Sequence, residues 1–150
     1  MKRLLFLTVA LLTFLADRVT KLLALKFLSG KVVSVIPGFF QLRLAENPGA
    51  AFSLFAGTTG LARLFFLILL PLGVVLFILY YGLKREHQTV TYVGLGLVLG
   101  GALGNLYDRV FSGKVVDFFD LYLGSYHYPT FNVADVAVLL GLLLLLLRRS

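Results

Sequence analysis

The chain has no cysteine, no tryptophan and one methionine among 150 residues. Without cysteine there is no disulfide, no thiol nucleophile and no thiolate metal site. Histidine occurs twice, at His87 and His127, far apart in the sequence. The apolar runs described below place the two on opposite membrane sides, which argues against a shared metal site. Acidic residues number only seven, and charged residues of both signs make up 14%. A soluble domain carries about 25%.

What is present is apolar. Hydrophobic residues reach 59% and mean hydropathy is +0.95. A membrane span takes about 20 residues, so the length permits about four spans and one modest outer element. Apolar runs cover 4–28, 61–83, 90–107 and 131–147. The net charge of +7 is scattered between these runs and forms no nucleic-acid patch. Lys2-Arg3 resembles the start of a signal peptide, but Ala16-Asp17-Arg18 offers no small-x-small cleavage site, so the run reads as a retained first span. The positive-inside rule puts Lys2-Arg3, Lys84-Arg85 and Arg148-Arg149 in the cytoplasm. Both termini are then inside, and segments 29–60 and 108–130 are outside.

The expected fold is a membrane all-α protein. One domain spans 1–150: a four-transmembrane-helix bundle with a small extracytoplasmic β-meander and an outer interfacial loop or helix segment. Lys31–Ile36 is rich in β-branched residues, Pro37-Gly38 is a turn, and Phe40–Leu44 alternates with period two. Asn47-Pro48-Gly49 is a second turn, from which Ala50–Phe55 could return as a strand. Segment 108–130 carries aromatic side chains suited to the headgroup level.

Asp135 opens a run that is otherwise almost purely aliphatic. An aspartate at a helix centre costs about 2.5–3.5 kcal/mol on insertion scales, so an intramembrane acid is a functional candidate. A second acid, Asp117, lies just upstream. Together they suggest an aspartyl protease: one carboxylate takes a proton from water while the other, protonated, polarises the scissile carbonyl. Asp120 and Asp108 are rivals for Asp117, which could also be a solvated loop acid. Asn132 with Asp135 could simply be a helix cap. Helix rise sets Asp135 about 20 Å from Arg148 and Asp17 about 21 Å from Arg3. Both acids would sit about 10 Å below the outer boundary, near Asn105. Asn105 suits a substrate backbone, and Arg109 could fork onto a carboxylate or a lipid phosphate. Gly96, Gly100 and Gly104 form a small-xxx-small packing face. Asp17 and Lys21 are an i,i+4 pair. Asn47 could bind substrate amides. A serine–lysine peptidase built on Ser53 with Lys21 or Lys114 is a remote alternative.

Taken in order, Asp17-Arg18-Val19-Thr20-Lys21, the run Asn47–Ser53, Gly104-Asn105-Leu106-Tyr107-Asp108-Arg109, Val115-Val116-Asp117-Phe118 and Phe131-Asn132-Val133-Ala134-Asp135 resemble bacterial lipoprotein signal peptidase, signal peptidase II. The resemblance implies an aspartic endopeptidase of the bacterial cytoplasmic membrane, with its active site toward the outer leaflet. It would remove signal peptides from prolipoproteins, cutting on the N-terminal side of a diacylglyceryl-modified cysteine. It assigns catalysis to Asp117 and Asp135. Substrate binding falls to Asn47, Asn105, Arg109 and Asn132, with support from Asp17, Lys21 and Asp108. It further implies no metal or organic cofactor, a monomer among membrane lipid, and inhibition by globomycin. Two other classes fit the composition: a proton-coupled transporter using Asp17 and Asp135, and a structural subunit docking through its glycine face. The first would show internal repeats, which are absent from the sequence. The second leaves the clustered acids and asparagines unexplained.

Overall fold

The computed structural model describes residues 1–49 and 60–148. Among the described residues four helices and four strands follow along the chain: α1 (Lys2–Phe27), β1 (Val32–Ile36), β2 (Phe40–Asn47), α2 (Gly60–Lys84), α3 (Thr89–Phe111), β3 (Val115–Leu123), β4 (Tyr126–His127) and α4 (Val133–Leu147). The four helices match the four apolar runs. Two of them, α2 and α3, are long and apolar enough to cross a membrane, and α4 is a shorter apolar helix. The charges of Asp17, Arg18 and Lys21 interrupt the apolar character of α1.

Helix α3 is the centre of the bundle, packed against α1, α2 and α4. Its small residues make this possible. A Cβ on Gly100 would meet the Ala10 carbonyl oxygen at 2.5 Å, and one on Gly101 would meet that of Ala134 at 2.5 Å. The expected glycine face therefore packs on α1, and further glycines admit α4. Without a hydrophobic drive between helices in lipid, such backbone approach is a main source of cohesion. The buried stripe of α1 is Phe6, Ala10, Thr13, Asp17, Lys21 and Ala24, a spacing that follows the helical repeat. Asp17 and Lys21 thus lie on the face that meets α3. In α2, Phe65–Leu69 forms a π turn in which the Leu70 N–H reaches the Phe65 carbonyl. The turn adjoins Pro71, which has no N–H to donate to the regular ladder.

The two segments expected on the outside depart from expectation. The second is not an interfacial loop or helix. α3 runs on to Phe111, and Val115–Leu123 is a strand that pairs antiparallel with β2. The result is one four-stranded antiparallel sheet in the order β1-β2-β3-β4, drawn from both segments. Among its described residues the first segment contributes the hairpin β1–β2. The strand expected over Ala50–Phe55 lies outside the described residues, as does Ser53. Pairing partners distant in sequence carry no local signature, so neither segment alone disclosed the shared sheet. Phe118 on β3 packs with Ala24 and Leu28 and fastens the sheet to the end of α1.

The basic clusters do gather at the other end of the bundle. Arg3 pairs with Glu86 at 3.0 Å, and Arg148 reaches the Thr91 hydroxyl at 3.4 Å. Both contacts are peripheral and contribute little energy. They show that the start of α1, the α2–α3 turn and the end of α4 share one face.

Candidate active site

Asn132 is the N-cap of α4. Its side-chain oxygen accepts from the Asp135 N–H at 3.0 Å, and Asp135 accepts from the Asn132 N–H at 3.2 Å. This capping box satisfies two N–H groups of the helix end and sets the Asp135 carboxylate at the positive end of the helix dipole. The cap and the proposed chemistry are therefore the same arrangement.

The Asn132 amide also faces β3. It lies 2.8 Å from Asp117 Oδ1, 3.1 Å from the Val116 carbonyl and 3.0 Å from Asn105 Oδ1. Asn105, on α3, donates to Asp135 Oδ1 at 2.9 Å. Asp117 and Asp135 are thus held by two asparagines at the junction of α3, β3 and α4. Asp117 and Asn132 are buried, whereas Asp135 and Asn105 are half-buried and give the site its opening. β3 lies outside the membrane-spanning helices. Burial, then the neighbouring Asp135 charge, pushes the Asp117 carboxyl up to about 7. The Asn132 bond opposes this without cancelling it.

Beneath this pair is a buried ionic layer. Lys21 lies 2.7 Å from Asp17 Oδ2 and 2.9 Å from Asp108 Oδ2, and donates to Asn105 Oδ1 at 3.1 Å. Asp17 Oδ1 accepts from the Ala134 N–H at 3.0 Å, another group at the start of α4. Asp108 Oδ2 accepts from the Val116 N–H at 3.1 Å, next to Asp117. Asp108 also pairs with Arg18, whose guanidinium lies over the Tyr107 ring at 4.2 Å. Each buried charge has a counter-charge, without which its desolvation would cost several kcal/mol. The layer ties α1 and α3 to the two backbone segments that carry the acids. Gly104 makes room for it, since a Cβ there would come within 2.3 Å of Asp17 Oδ2.

Of the residues singled out by sequence, Asp117, Asp135, Asn105, Asn132, Asp17, Lys21 and Asp108 form one connected cluster. Asn47 ends β2 opposite Val115, two residues before Asp117 on the neighbouring strand, and accepts from the Gly49 N–H at 2.8 Å, closing its own turn. Arg109 is half-buried and makes no hydrogen bond or ion pair among the described residues. Its charge faces Asp135, Asp117 and Asp108, and it borders a cavity of about 290 Å³ with Arg63 and Leu67 of α2. Asp120, the rival acid, is three residues from Asp117 and so on the opposite face of the strand. It is occupied by Gln41 at 2.7 Å, Arg43 at 3.2 Å and His127 at 2.8 Å. Sequence reasoning missed two participants. Arg18 was hidden beside the obvious Asp17–Lys21 spacing. Arg63, which donates to the Pro48 carbonyl, carries no local signal for a contact with a distant turn.

Residues 9–149 match the family model described as signal peptidase (SPase) II. The chain is similar to the lipoprotein signal peptidase of Syntrophus aciditrophicus, 43% identical over 143 residues, or 94% of this chain and 89% of that one. Against the lipoprotein signal peptidase of Clostridium novyi it is 44% identical over 132 residues, 86% of each. Two solved bacterial membrane enzyme structures, each 30% identical, share the fold. One has a TM-score of 0.76, covering 94% of this chain and 84% of the other. The second has a TM-score of 0.81, covering 97% and 94%.

Proposed function

Because the chain belongs to the signal peptidase II family, a peptidase family that removes signal peptides from prolipoproteins, we propose that its hydrolytic groups are Asp117 and Asp135. The observation that carries this is the shared contact with Asn132, which holds two carboxyls of different environment beside one opening. Asp135 is the base. It takes a proton from water, and the hydroxide so formed bonds to the scissile carbonyl carbon. Asp117, kept protonated by burial and by the Asp135 charge, donates to the carbonyl oxygen as negative charge develops there. The C–N bond then breaks. The leaving amine takes the proton held by Asp135, and Asp117 recovers its own as the carbonyl re-forms.

Asn105 and Asn132 hold the acids and present amide groups to the substrate backbone. Arg109 and Asn47 are assigned the extended chain on either side of the cut. Asp17, Lys21 and Asp108 hold the layer below. The protein is a multi-pass enzyme of the bacterial cytoplasmic membrane, working as a monomer and open to globomycin. All four helices span, with the basic end in the cytoplasm and the acids toward the outer leaflet. The substrate is a prolipoprotein cut before a cysteine that carries diacylglycerol. A lipid anchor holds the bond at the depth of the acids, which raises its effective concentration there.

The test is purified enzyme with one precursor, prepared with and without the diacylglyceryl group on the same signal helix. The lipidated form is expected to be cut and the other not. Equal cleavage would leave a less selective intramembrane aspartic protease as the better description.

A further inference from the structure

Asp135 also borders a cavity of about 560 Å³, lined by Leu121, Tyr128, Phe131, Val136 and Leu139 among others. One wall is α4, where Val136 and Leu139 follow the acid. The other belongs to the sheet. Leu121 lies on the same face of β3 as Asp117 by the alternation of the strand. Phe131 is fixed by a bridge to Phe119, its N–H donating at 3.2 Å and its carbonyl accepting at 2.9 Å.

The cavity continues as a stripe. Leu139, Leu143 and Leu146 follow Asp135 at helical spacing, on the side of α4 away from the buried Ala134, Ala137 and Gly141. They are 58%, 43% and 80% exposed. The groove therefore has an acid at its head, largely apolar walls along its length and an exposed side. The hydroxyl-bearing Tyr128 and Thr130 also border it, polar company for an ester-linked glyceryl group.

On the reading given under Proposed function, we propose that this groove holds one acyl chain of the substrate's diacylglyceryl group. The modified cysteine supplies the leaving nitrogen, and its sulfur is only a few bonds away. The glyceryl group therefore begins beside the acids, and its chains leave through an apolar path starting there. The groove from Asp135 to Leu139 is such a path. The signal peptide leaves from the carbonyl side as a helix about 10–12 Å across, wider than a single hydrocarbon chain.

The test uses reconstituted enzyme and one precursor bearing short, medium or long saturated acyl chains. Leu139→Trp fills the groove one turn below the acid, and Val136→Phe narrows the same stretch. Leu140→Trp puts equal bulk on the neighbouring α4 residue, which does not line the cavity. Both groove variants are expected to lose about tenfold in kcat/KM on the longest chain relative to the shortest, the effect of withdrawing about two methylenes from apolar contact. The Leu140 variant is expected to keep the wild-type chain-length profile. An unshifted profile in both groove variants, with cleavage still lipid-dependent, overturns the groove assignment alone. A change in preference for residues before the cut, in place of chain length, overturns it in favour of the signal peptide. Wild-type enzyme that cuts lipidated and unlipidated precursor equally overturns this inference and the lipid-reading function together.

Discussion

Asn132 joins the cap of α4 to Asp117, and its two roles are separable by substitution. Asn132→Ser keeps a capping oxygen but has no amide to reach Asp117 and Asn105. It is expected to lose at least a hundredfold in kcat/KM while its melting temperature in micelles stays close to wild type. Asn132→Ala loses the cap as well, about 1 kcal/mol. Equal activity in the serine variant would show that the amide bridge is dispensable. Asp117 makes a pH prediction with a definite sign. Its carboxyl rises from an ordinary 3.8 to about 7 on folding, so the folded chain holds this proton more tightly than the unfolded one. That stabilising contribution is full below about pH 4 and is lost as pH rises through about 7. On the proposed mechanism the same proton is the one donated to substrate, so kcat/KM is expected to fall on an alkaline limb near pH 7. Asp117→Asn should abolish cleavage and flatten the dependence of stability on pH in that window. An alkaline limb unmoved from well above pH 7 would contradict the assignment of Asp117 as the acid.

Between elements, the contacts that matter are close approaches and buried charges. Gly104→Ala places a methyl against the Asp17 carboxylate, which cannot withdraw without leaving Lys21 unpaired. The expected cost is about 1–3 kcal/mol, an overpacking penalty, with activity falling alongside stability. A thermal melt with a parallel activity assay checks it. The sheet offers a contrast. Burial alone would raise the Asp120 carboxyl, but the bonds from His127, Gln41 and Arg43 outweigh it and hold it below the usual carboxylate value. The stability this contributes is present above about pH 4 and lost as pH falls through the lower folded value. Arg43 and His127 are each about 40% exposed at this site, so the gain is modest. Asp120→Asn is therefore expected to remain active and to flatten the acid limb of the stability profile. Loss of cleavage in that variant would return Asp120 to candidacy.

At the scale of the whole molecule, the acids and the sheet lie at one end, and the contacts of Arg3 and Arg148 mark the other. A reporter fused to the C-terminus is expected in the cytoplasm and one inserted at residue 57 on the outside. An outside C-terminus would place the acids in the opposite leaflet. Much of this plan was legible beforehand. The four helices coincide with the apolar runs because, in lipid, a chain must satisfy its backbone internally over about 20 residues, and composition alone reports that. The hairpin β1–β2 was legible from alternation and from Pro37-Gly38. The pairing of β2 with β3 was not, because its partners lie far apart along the chain, as Asn47 and Val115 do.

The sequence by itself singled out the residues proposed to carry the chemistry. Acids and asparagines are too costly in an apolar chain to persist without partners, so Asp17, Asn105 and Asp135 stood out at one depth. It also determined the capping box, since Asn132 and Asp135 are spaced for it. Only the tertiary structure decided which partner each group takes. Asp117 faces Asn132 while Asp120 turns to the sheet's other side, because strand alternation acts on a register set by β2. Arg18 joins Asp108, and Lys21 reaches Asn105, because Gly100 and Gly104 let α1 and α3 approach. Spacing along one helix specifies a face, but the partner on that face is supplied by another element, and contact between elements is a property of packing.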